Sequence, residues 1–153
     1  MAAGVEHSPT IGRPIEEVSE RDWRVIFEAN VDGAFWLAQA AAPHLKKAGW
    51  GRIVAISSGA GKRGYPNMTA YCASKFGLQG FMEALAAELA SEPIKCTTIV
   101  PGSILTDFGV RTREDRLHSG DKFLEPKDVA EAIVQVLLQP DRAWTQEVTL
   151  WPR

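Results

Sequence analysis

The chain has 153 residues, 45% of them apolar, which is typical of a single globular domain over residues 1–153. Its formal net charge is only -2, so charge gives no reason to expect nucleic acid or an acidic membrane as a partner. Two cysteines cannot form a disulfide framework, and no apolar run reaches the roughly 20 residues of a membrane helix, so we expect a cytoplasmic protein.

The first predicted element is a long helix that follows a loop at residues 6–18. Ser19 is a suitable N-cap, because Asp22 three residues on completes a capping-box pattern. Apolar residues continue at helical spacing to about Leu45, and Gly49 is a natural terminator. We therefore predict one long helix between these two signals.

The middle of this helix reads Asn30-Val31-Asp32-Gly33, which is a run of poor helix formers. One interpretation is a kink that the helix tolerates. The other is a locally loosened turn that lets Asn30 join a functional site. The residues alone leave both interpretations open.

The most informative stretch follows this helix. A short apolar run from Ile53 to Ile56, bounded by glycines, is typical of a buried parallel strand. Ser58 follows at the carboxyl end of that strand, where open α/β sheets place their ligands. Tyr71 and Lys75 come next, four residues apart in a helical pattern, so they share one helix face. The three side chains are therefore candidates for one site.

These residue types suit proton transfer to or from a carbonyl or alcohol oxygen. A free tyrosine has a pKa of about 10, and a nearby cation can lower a pKa by roughly 1–3 units. We expect Lys75 to lower the pKa of Tyr71 in this way. A hydroxyl such as that of Ser58 can stabilise charge on the reacting oxygen. Such a site needs a separate hydride carrier.

The loop after the strand has the spacing Gly-x-Gly-x-x-Gly, formed by Gly59, Gly61 and Gly64. With Lys62 and Arg63 it offers a phosphate-binding alternative. Tyr65-Pro66 argues against that function, because the proline prevents a helix from starting at the last glycine. The loop either passes close to a substrate or is merely flexible.

The rest of the chain predicts a helix, a strand, a loop, a second helix and a last strand. The helix at about 68–90 contains Gly77 and Gly80, which imply close approach of another backbone. The strand ends at Pro101-Gly102, where Gly102 permits close approach to a ligand. The final elements in order are a polar loop from Asp107 to Lys122, a helix from Pro126 to about Leu138 and a strand from Thr145 to Trp151.

Metal chemistry and serine hydrolysis are not indicated. The three histidines have no metal-ligand spacing with one another or with the cysteines: His7, His44 and His118. The sequence contains no Gly-x-Ser-x-Gly element, where a hydrolase serine would lie. The sequence therefore predicts no metal site, and His118 is more typical of a solvated loop than of a substrate contact.

Several motifs together resemble the short-chain dehydrogenase/reductase family. Ser58 and the Tyr71-x-x-x-Lys75 pair have that family's spacing. FEANVDGAF, which contains Asn30, is similar to the segment with its active-site asparagine, and IVPGSILT to the segment that holds the nicotinamide. The resemblance implies an α/β fold: a partial Rossmann-like, doubly wound parallel sheet of about three strands with flanking helices.

The resemblance also predicts that this chain corresponds to the carboxyl-terminal part of a family member. MAAGV at the amino end is similar to the family's Asn-Asn-Ala-Gly only at Ala3 and Gly4. The family's glycine-rich pyrophosphate turn and its first βαβαβ half have no counterpart in these residues. The sequence therefore leaves open whether this chain is active on its own.

By resemblance, the chain derives from an NAD- or NADP-dependent oxidoreductase that interconverts an alcohol and a carbonyl compound. The family's roles would make Tyr71 the general acid–base, Lys75 the pKa-lowering and ribose-binding cation, and Ser58 the donor to the substrate oxygen. Asn30 would support a proton relay. The residues expected around the cofactor are Ala3, Gly4, Asn30, Tyr71, Lys75, Pro101, Gly102, Ile104 and Thr106.

Two further hypotheses stand beside this one. The chain can be a non-catalytic, self-associating module, because the family's cofactor-binding half has no counterpart in these residues. The family commonly dimerises through the helices found here near residues 20–48 and 68–90, so the resemblance also implies a homo-oligomer. Alternatively, it is a phosphate- or nucleotide-binding module that uses Gly59 to Gly64 with the two cations between them.

Overall fold

The described residues form a sheet of three parallel strands. The computed structural model describes residues 10–153, and its strands are β1 (Gly51–Ile56), β2 (Ile94–Pro101) and β3 (Glu147–Leu150), in the order β1-β2-β3. Gly51 pairs with Ile94, and Thr98 pairs with Glu147. The expected partial parallel α/β sheet is therefore confirmed.

The described part of the chain has five α-helices, which are α1 (Glu20–Phe27), α2 (Gly33–Ala48), α3 (Thr69–Glu88), α4 (Arg113–His118) and α5 (Pro126–Leu137). Of these, α2, α3 and α5 pack against strands. The side chain of Ser19 caps α1 by accepting a hydrogen bond from the Asp22 amide at 3.1 Å. Gly49 ends α2 in the left-handed conformation, with a φ of 67°. The sequence signals at both ends of the long helix are therefore confirmed.

Between α1 and α2 the chain forms a π-helical turn at Glu28–Asp32 instead of continuing as α-helix. This turn contains Asn30, in the run of poor helix formers. Weak local preference for α-helix lets neighbouring packing decide the geometry. The prediction of one continuous α-helix is therefore wrong at this point, and a functional role of this turn stays a prediction.

Helices lie on both faces of the sheet. Successive side chains of β1 point to opposite faces, so β1 packs against both layers. Ile53 and Ala55 pack with the buried cluster of α3 and β2, which consists of Leu78, Met82, Leu89, Ile94 and Cys96. Val54 and Ile56 pack with Ile99, Val129 and Val136, the last two of which lie on α5. The carboxyl ends of the strands are thus held between two helical layers.

The glycines of α3 differ in what they face. A Cβ at Gly77 would lie 3.6 Å from the Val31 Cγ2, so the π-helical turn packs against this position. A Cβ at Gly80 would have no neighbour within 4 Å among the described residues. Neither position has a backbone atom in close approach, so the prediction that both glycines make room for another backbone is wrong within the described chain.

The polar segment from 107 to 122 contains an element that periodicity did not predict. Helix α4 starts at Thr112, whose hydroxyl accepts from the Asp115 amide at 3.1 Å. The Asp115 carboxylate accepts in return from the Thr112 amide at 2.9 Å. A six-residue helix is too short to show periodicity, but this capping box was visible as Thr-x-x-Asp.

Among residues 10–153, no helix combines the length and apolar character needed to cross a membrane.

Candidate active site

The carboxyl ends of the three strands border one cavity of about 470 Å³. Ser57 and Ser58 follow β1, Pro101 ends β2, and Trp151 follows β3; all four line this cavity. Parallel strands end at the same edge of a sheet, so residues far apart in sequence meet there. The volume lies within the range of roughly 300–1,000 Å³ that is usual for small-molecule sites.

The structure brings Ser58, Tyr71 and Lys75 together on one side of the cavity. Tyr71 and Lys75 lie in the first two turns of α3, and both are buried. The Lys75 Nζ is 5.7 Å from the centroid of the Tyr71 ring. Because of their four-residue spacing, both side chains line the same cavity, as the sequence predicts.

Lys75 is held by the end of β1. Its Nζ donates a hydrogen bond to the Ile56 carbonyl oxygen at 3.0 Å. Burial lowers the pKa of Lys75 to about 8, because the charged form loses hydration. An ammonium has three hydrogens, so two stay free for other acceptors in the cavity.

Tyr71 does not have the expected lowered pKa. Burial raises the pKa of Tyr71, and this effect exceeds the opposite effect of a hydrogen bond with Ser58. The prediction that Lys75 makes the phenol more acidic is therefore wrong for this structure. The physical reason is that Tyr71 is only 8% exposed, so desolvation of its anionic form dominates.

The glycine loop is a buried, close-packed turn. Gly59–Gly61 forms a 3-10 turn in which the Ala60 amide donates to the Ser58 hydroxyl at 3.1 Å. A Cβ at Gly61 would lie 2.7 Å from both the Ser57 Oγ and the Gln79 Nε2. These contacts rule out the interpretation of mere flexibility. We call this turn, with Tyr71 and Lys75, the sheet-side wall.

The two cations of this loop are already engaged. Lys62 forms an ion pair with Glu147 at 2.5 Å, and the Arg63 guanidinium lies over the rings of Tyr65 and Trp151. The neighbouring 3-10 turn has only three residues, so it presents few free amides to an anion. Nothing in this geometry favours a phosphate-binding loop.

Asn30 lies beside the site but does not line the cavity. Its Nδ2 donates to the Ser74 Oγ at 3.0 Å, and that hydroxyl donates to the Tyr71 carbonyl oxygen at 2.8 Å. Asn30 is thus connected to α3 at the residue before Lys75. The structure places it behind the three cavity side chains instead of among them.

The segment after β2 forms the floor of the cavity. Its lining residues are Pro101, Gly102, Ser103, Ile104 and Thr106. A Cβ at Gly102 would lie 2.7 Å from the Trp151 Cε3, so the close approach at this glycine is by an indole ring. This packing is a second reason for a glycine here, and the approach of a ligand to Gly102 stays a prediction. The other two expected cofactor residues, Ala3 and Gly4, lie outside the described residues.

The opposite side of the cavity, which we call the outer wall (residues 107–116), contains side chains that the sequence did not single out. Its ring of Phe108 is 5.6 Å from the Tyr71 ring, and Arg111 and Arg116 line the same space. Trp151 was also missed, although the strand-end rule that identified Ser58 applies equally to the residue after β3. The two arginines had no comparable signal, because no local pattern marks them.

The chemistry that this arrangement allows is proton transfer in an apolar enclosure. A buried phenol with a raised pKa is protonated at neutral pH and can donate a proton to an oxygen. Within residues 10–153, no cluster of three or more His, Cys, Asp or Glu side chains could hold a metal ion.

Comparison with known proteins gives one family. The family model described as short chain dehydrogenase matches residues 1–117. The chain is 35% identical, over 128 residues, to D-threitol dehydrogenase of Mycolicibacterium smegmatis; this match covers 79% of the chain and 49% of the relative. The chain spans about half the length of most curated relatives that it matches, and 11% of one.

Solved structures give the same result for the fold. The closed form of serine dehydrogenase complexed with NADP+ superposes with a TM-score of 0.83 at 23% identity, covering 94% of this chain and 62% of that one. A metagenomic short-chain oxidoreductase in complex with NADP gives a TM-score of 0.75 at 27% identity, covering 96% and 60%. Both likenesses extend over nearly the whole of the present chain.

Proposed function

The chain belongs to the short-chain dehydrogenase family, and we propose that it carries the catalytic part of an NAD- or NADP-dependent oxidoreductase. Its reaction would interconvert an alcohol and a carbonyl compound. The observation that supports this most directly is that Ser58, Tyr71 and Lys75 line one cavity at the carboxyl ends of parallel strands. We also propose that residues 1–153 form a single Rossmann-like domain.

In this proposal the protein residues handle the proton and the substrate oxygen. The Tyr71 hydroxyl donates a proton to the carbonyl oxygen during reduction, and the same group accepts it during oxidation. The Ser58 hydroxyl donates a hydrogen bond to that oxygen and stabilises its developing charge. The nicotinamide cofactor, when bound, supplies or accepts the hydride.

The residues in the cavity fit a nicotinamide nucleoside. Lys75 has two ammonium hydrogens beyond its bond to Ile56, and these can bind ribose hydroxyls. The Thr106 hydroxyl accepts from the Phe108 amide at 3.4 Å and keeps its own proton for a carboxamide oxygen. We propose that Pro101, Gly102 and Ile104 line the nicotinamide; we propose the same contact for Ala3 and Gly4, and a supporting role for Asn30.

Cofactor binding provides the first test. We would titrate the full chain with NADH and NADPH by calorimetry, for the wild type and for Lys75→Met. We expect saturable binding to the wild type and a loss on removing the ammonium. Lys127→Met is the matched control, because Lys127 is exposed on α5, pairs with Glu131 at 3.4 Å and does not line the cavity. Equal binding to all three proteins would contradict the assigned role of Lys75.

Turnover provides the second test. Tyr71→Phe removes one hydroxyl and keeps the ring that packs against Phe108. We expect it to abolish reduction of a ketone panel, followed by NADPH absorbance, while urea unfolding stays close to that of the wild type. Undiminished turnover by this variant would reject Tyr71 as the proton donor.

A second candidate function is self-association, and one observation favours it. Three adjacent apolar residues near the start of α2 are exposed: Phe35 by 43%, Trp36 by 53% and Leu37 by 64%. Exposed apolar patches often mark protein interfaces. We propose a homo-oligomer formed through the helices near residues 20–48 and 68–90. Size-exclusion chromatography with light scattering should show a dimer or larger species that Trp36→Glu weakens; a monomer at all concentrations would reject this interface.

A further inference from the structure

The outer wall contributes two arginines, Arg111 and Arg116, to the cavity that Tyr71 also lines. Arg116 lies on α4, and its Nη2 donates to the Phe108 carbonyl oxygen at 2.5 Å. Phe108 in turn packs its ring against Tyr71, with centroids 5.6 Å apart. The Arg116 guanidinium is therefore separated from the Tyr71 ring by a single residue.

The Arg116 side chain is charged and incompletely satisfied. Its Nε is buried and has no hydrogen-bond partner within residues 10–153. No carboxylate in the described part of the chain forms an ion pair with it. A guanidinium keeps its charge under all ordinary conditions and offers five donors. Asp107 attracts this guanidinium without forming a close ion pair, and the Arg116 Nε still lacks a partner among the described residues, so the group has capacity for an anion.

The charged residues in the described lining of the cavity are all cationic. They are Lys75, Arg111 and Arg116, and among the described lining residues there is no Asp or Glu. Arg111 is partly neutralised by Asp121 at 3.1 Å. Most other lining side chains are apolar, including Ile11, Met68 and Trp151. Such a cavity favours a ligand with an apolar body and a negative charge.

We propose that Arg116 binds a carboxylate of the substrate, so the substrate class is a keto acid and its hydroxy-acid counterpart. This proposal rests on the proposed function for the position of the reacting oxygen, next to Tyr71. A guanidinium matches the two oxygens of a carboxylate and forms stronger hydrogen bonds with them than with a neutral carbonyl. A carboxylate suits the site better than a phosphate. Arg111 is already paired with Asp121, so Arg116 is the main cation left to bind the ligand, and one guanidinium in an apolar cavity neutralises only a single negative charge.

The test compares two ligands of nearly the same shape. Levulinate has a methyl ketone and a carboxylate, whereas acetonylacetone has a second methyl ketone in place of the carboxylate. We would measure binding of each to the full chain by ligand-observed NMR titration. The wild type should prefer levulinate by on the order of tenfold, the effect of one charge-assisted interaction. Equal affinity for both ligands in the wild type would overturn the proposal without any variant.

Variants then assign the preference to Arg116. Arg116→Met should remove it, and Arg116→Lys, which keeps the charge and the donor to Phe108, should retain part of it. Arg113→Met is the matched control on the same helix, because Arg113 does not line the cavity. Loss of the preference in the control, or its full retention in Arg116→Met, would overturn the assignment.

These measurements also separate this proposal from the proposed function. Binding of NADPH with no preference between the two ligands rejects the carboxylate site and leaves the oxidoreductase proposal intact. A clear levulinate preference without NADPH binding supports the carboxylate site and counts against the proposed function of the chain by itself.

Discussion

The two walls of the cavity are built in different ways. In the sheet-side wall the groups are buried and fixed by contacts to strand ends, as in the bond from Lys75 to Ile56. The Gln79 side chain supports the same wall through the Ser57 hydroxyl at 3.2 Å. The outer wall is largely exposed, and its order depends on one short helix and on side-chain to backbone bonds such as that of Arg116.

This difference predicts different roles for the two walls. Buried groups with several fixed partners keep their geometry, which proton transfer requires. Exposed segments tolerate substitution and hold the residues that distinguish ligands. We therefore expect changes in the sheet-side wall to affect the folding and chemistry of the chain, and changes in the outer wall to affect mainly what it binds.

The largest expected effect is on folding and comes from Gly61→Ala in the sheet-side wall. The added methyl group would lie within 2.8 Å of the Ser57 Oγ, the Gln79 Nε2 and the Lys75 carbonyl oxygen. We expect the free energy of unfolding in urea to fall by about 2 kcal/mol, within the usual range for overpacking. Gly64→Ala is the matched control, because no described atom lies within 4 Å of its Cβ position. If both variants are equally stable, the turn is not close-packed.

A smaller effect should appear as a pH dependence of stability. The pKa of Lys75 is about 8 in the folded chain, against 10.5 as its ordinary value. Between these pH values the unfolded chain binds more protons than the folded chain, so this group makes stability rise with pH. From pH 7 to pH 9 we expect the wild type to gain about 1 kcal/mol relative to Lys75→Met.

Urea unfolding at several pH values measures this gain. The difference between the two proteins cancels the contribution of Cys96, whose pKa burial raises to about 11. Parallel stability curves for the wild type and Lys75→Met would show that the ammonium is not desolvated. That result would contradict the burial of charged groups in the sheet-side wall.

The smallest effect on stability should come from the outer wall. Thr112→Ala removes the hydroxyl that caps α4, and we expect a cost of about 0.5 kcal/mol, the low end for such caps. Hydrogen exchange should become faster at the amides of α4 and stay unchanged in α3. Ser19→Ala, which removes the corresponding cap of α1, should leave α4 unaffected. Faster exchange in α3 with Thr112→Ala would show that the two walls fold as one unit.

The sheet-side wall was largely predictable from the sequence, because its signals are local. An apolar run followed by Ser58 and a four-residue spacing from Tyr71 to Lys75 are sufficient to place all three side chains on one edge. The raised pKa of Tyr71 was not predictable, since it depends on burial by segments such as the one containing Phe108. Arg116 was missed for the same reason: its importance comes from what surrounds it in space.

The topology of the sheet has a consequence for how quickly a working site appears. Each strand pairing joins residues far apart in sequence, as Gly51 with Ile94 and Thr98 with Glu147 show. Chains dominated by such distant contacts fold slowly, because loop-closure entropy is lost before the contacts form. The cavity has no local precursor, since its lining comes from the ends of all three strands. During refolding, the cavity should therefore form at the same rate as the pairing of β1, β2 and β3.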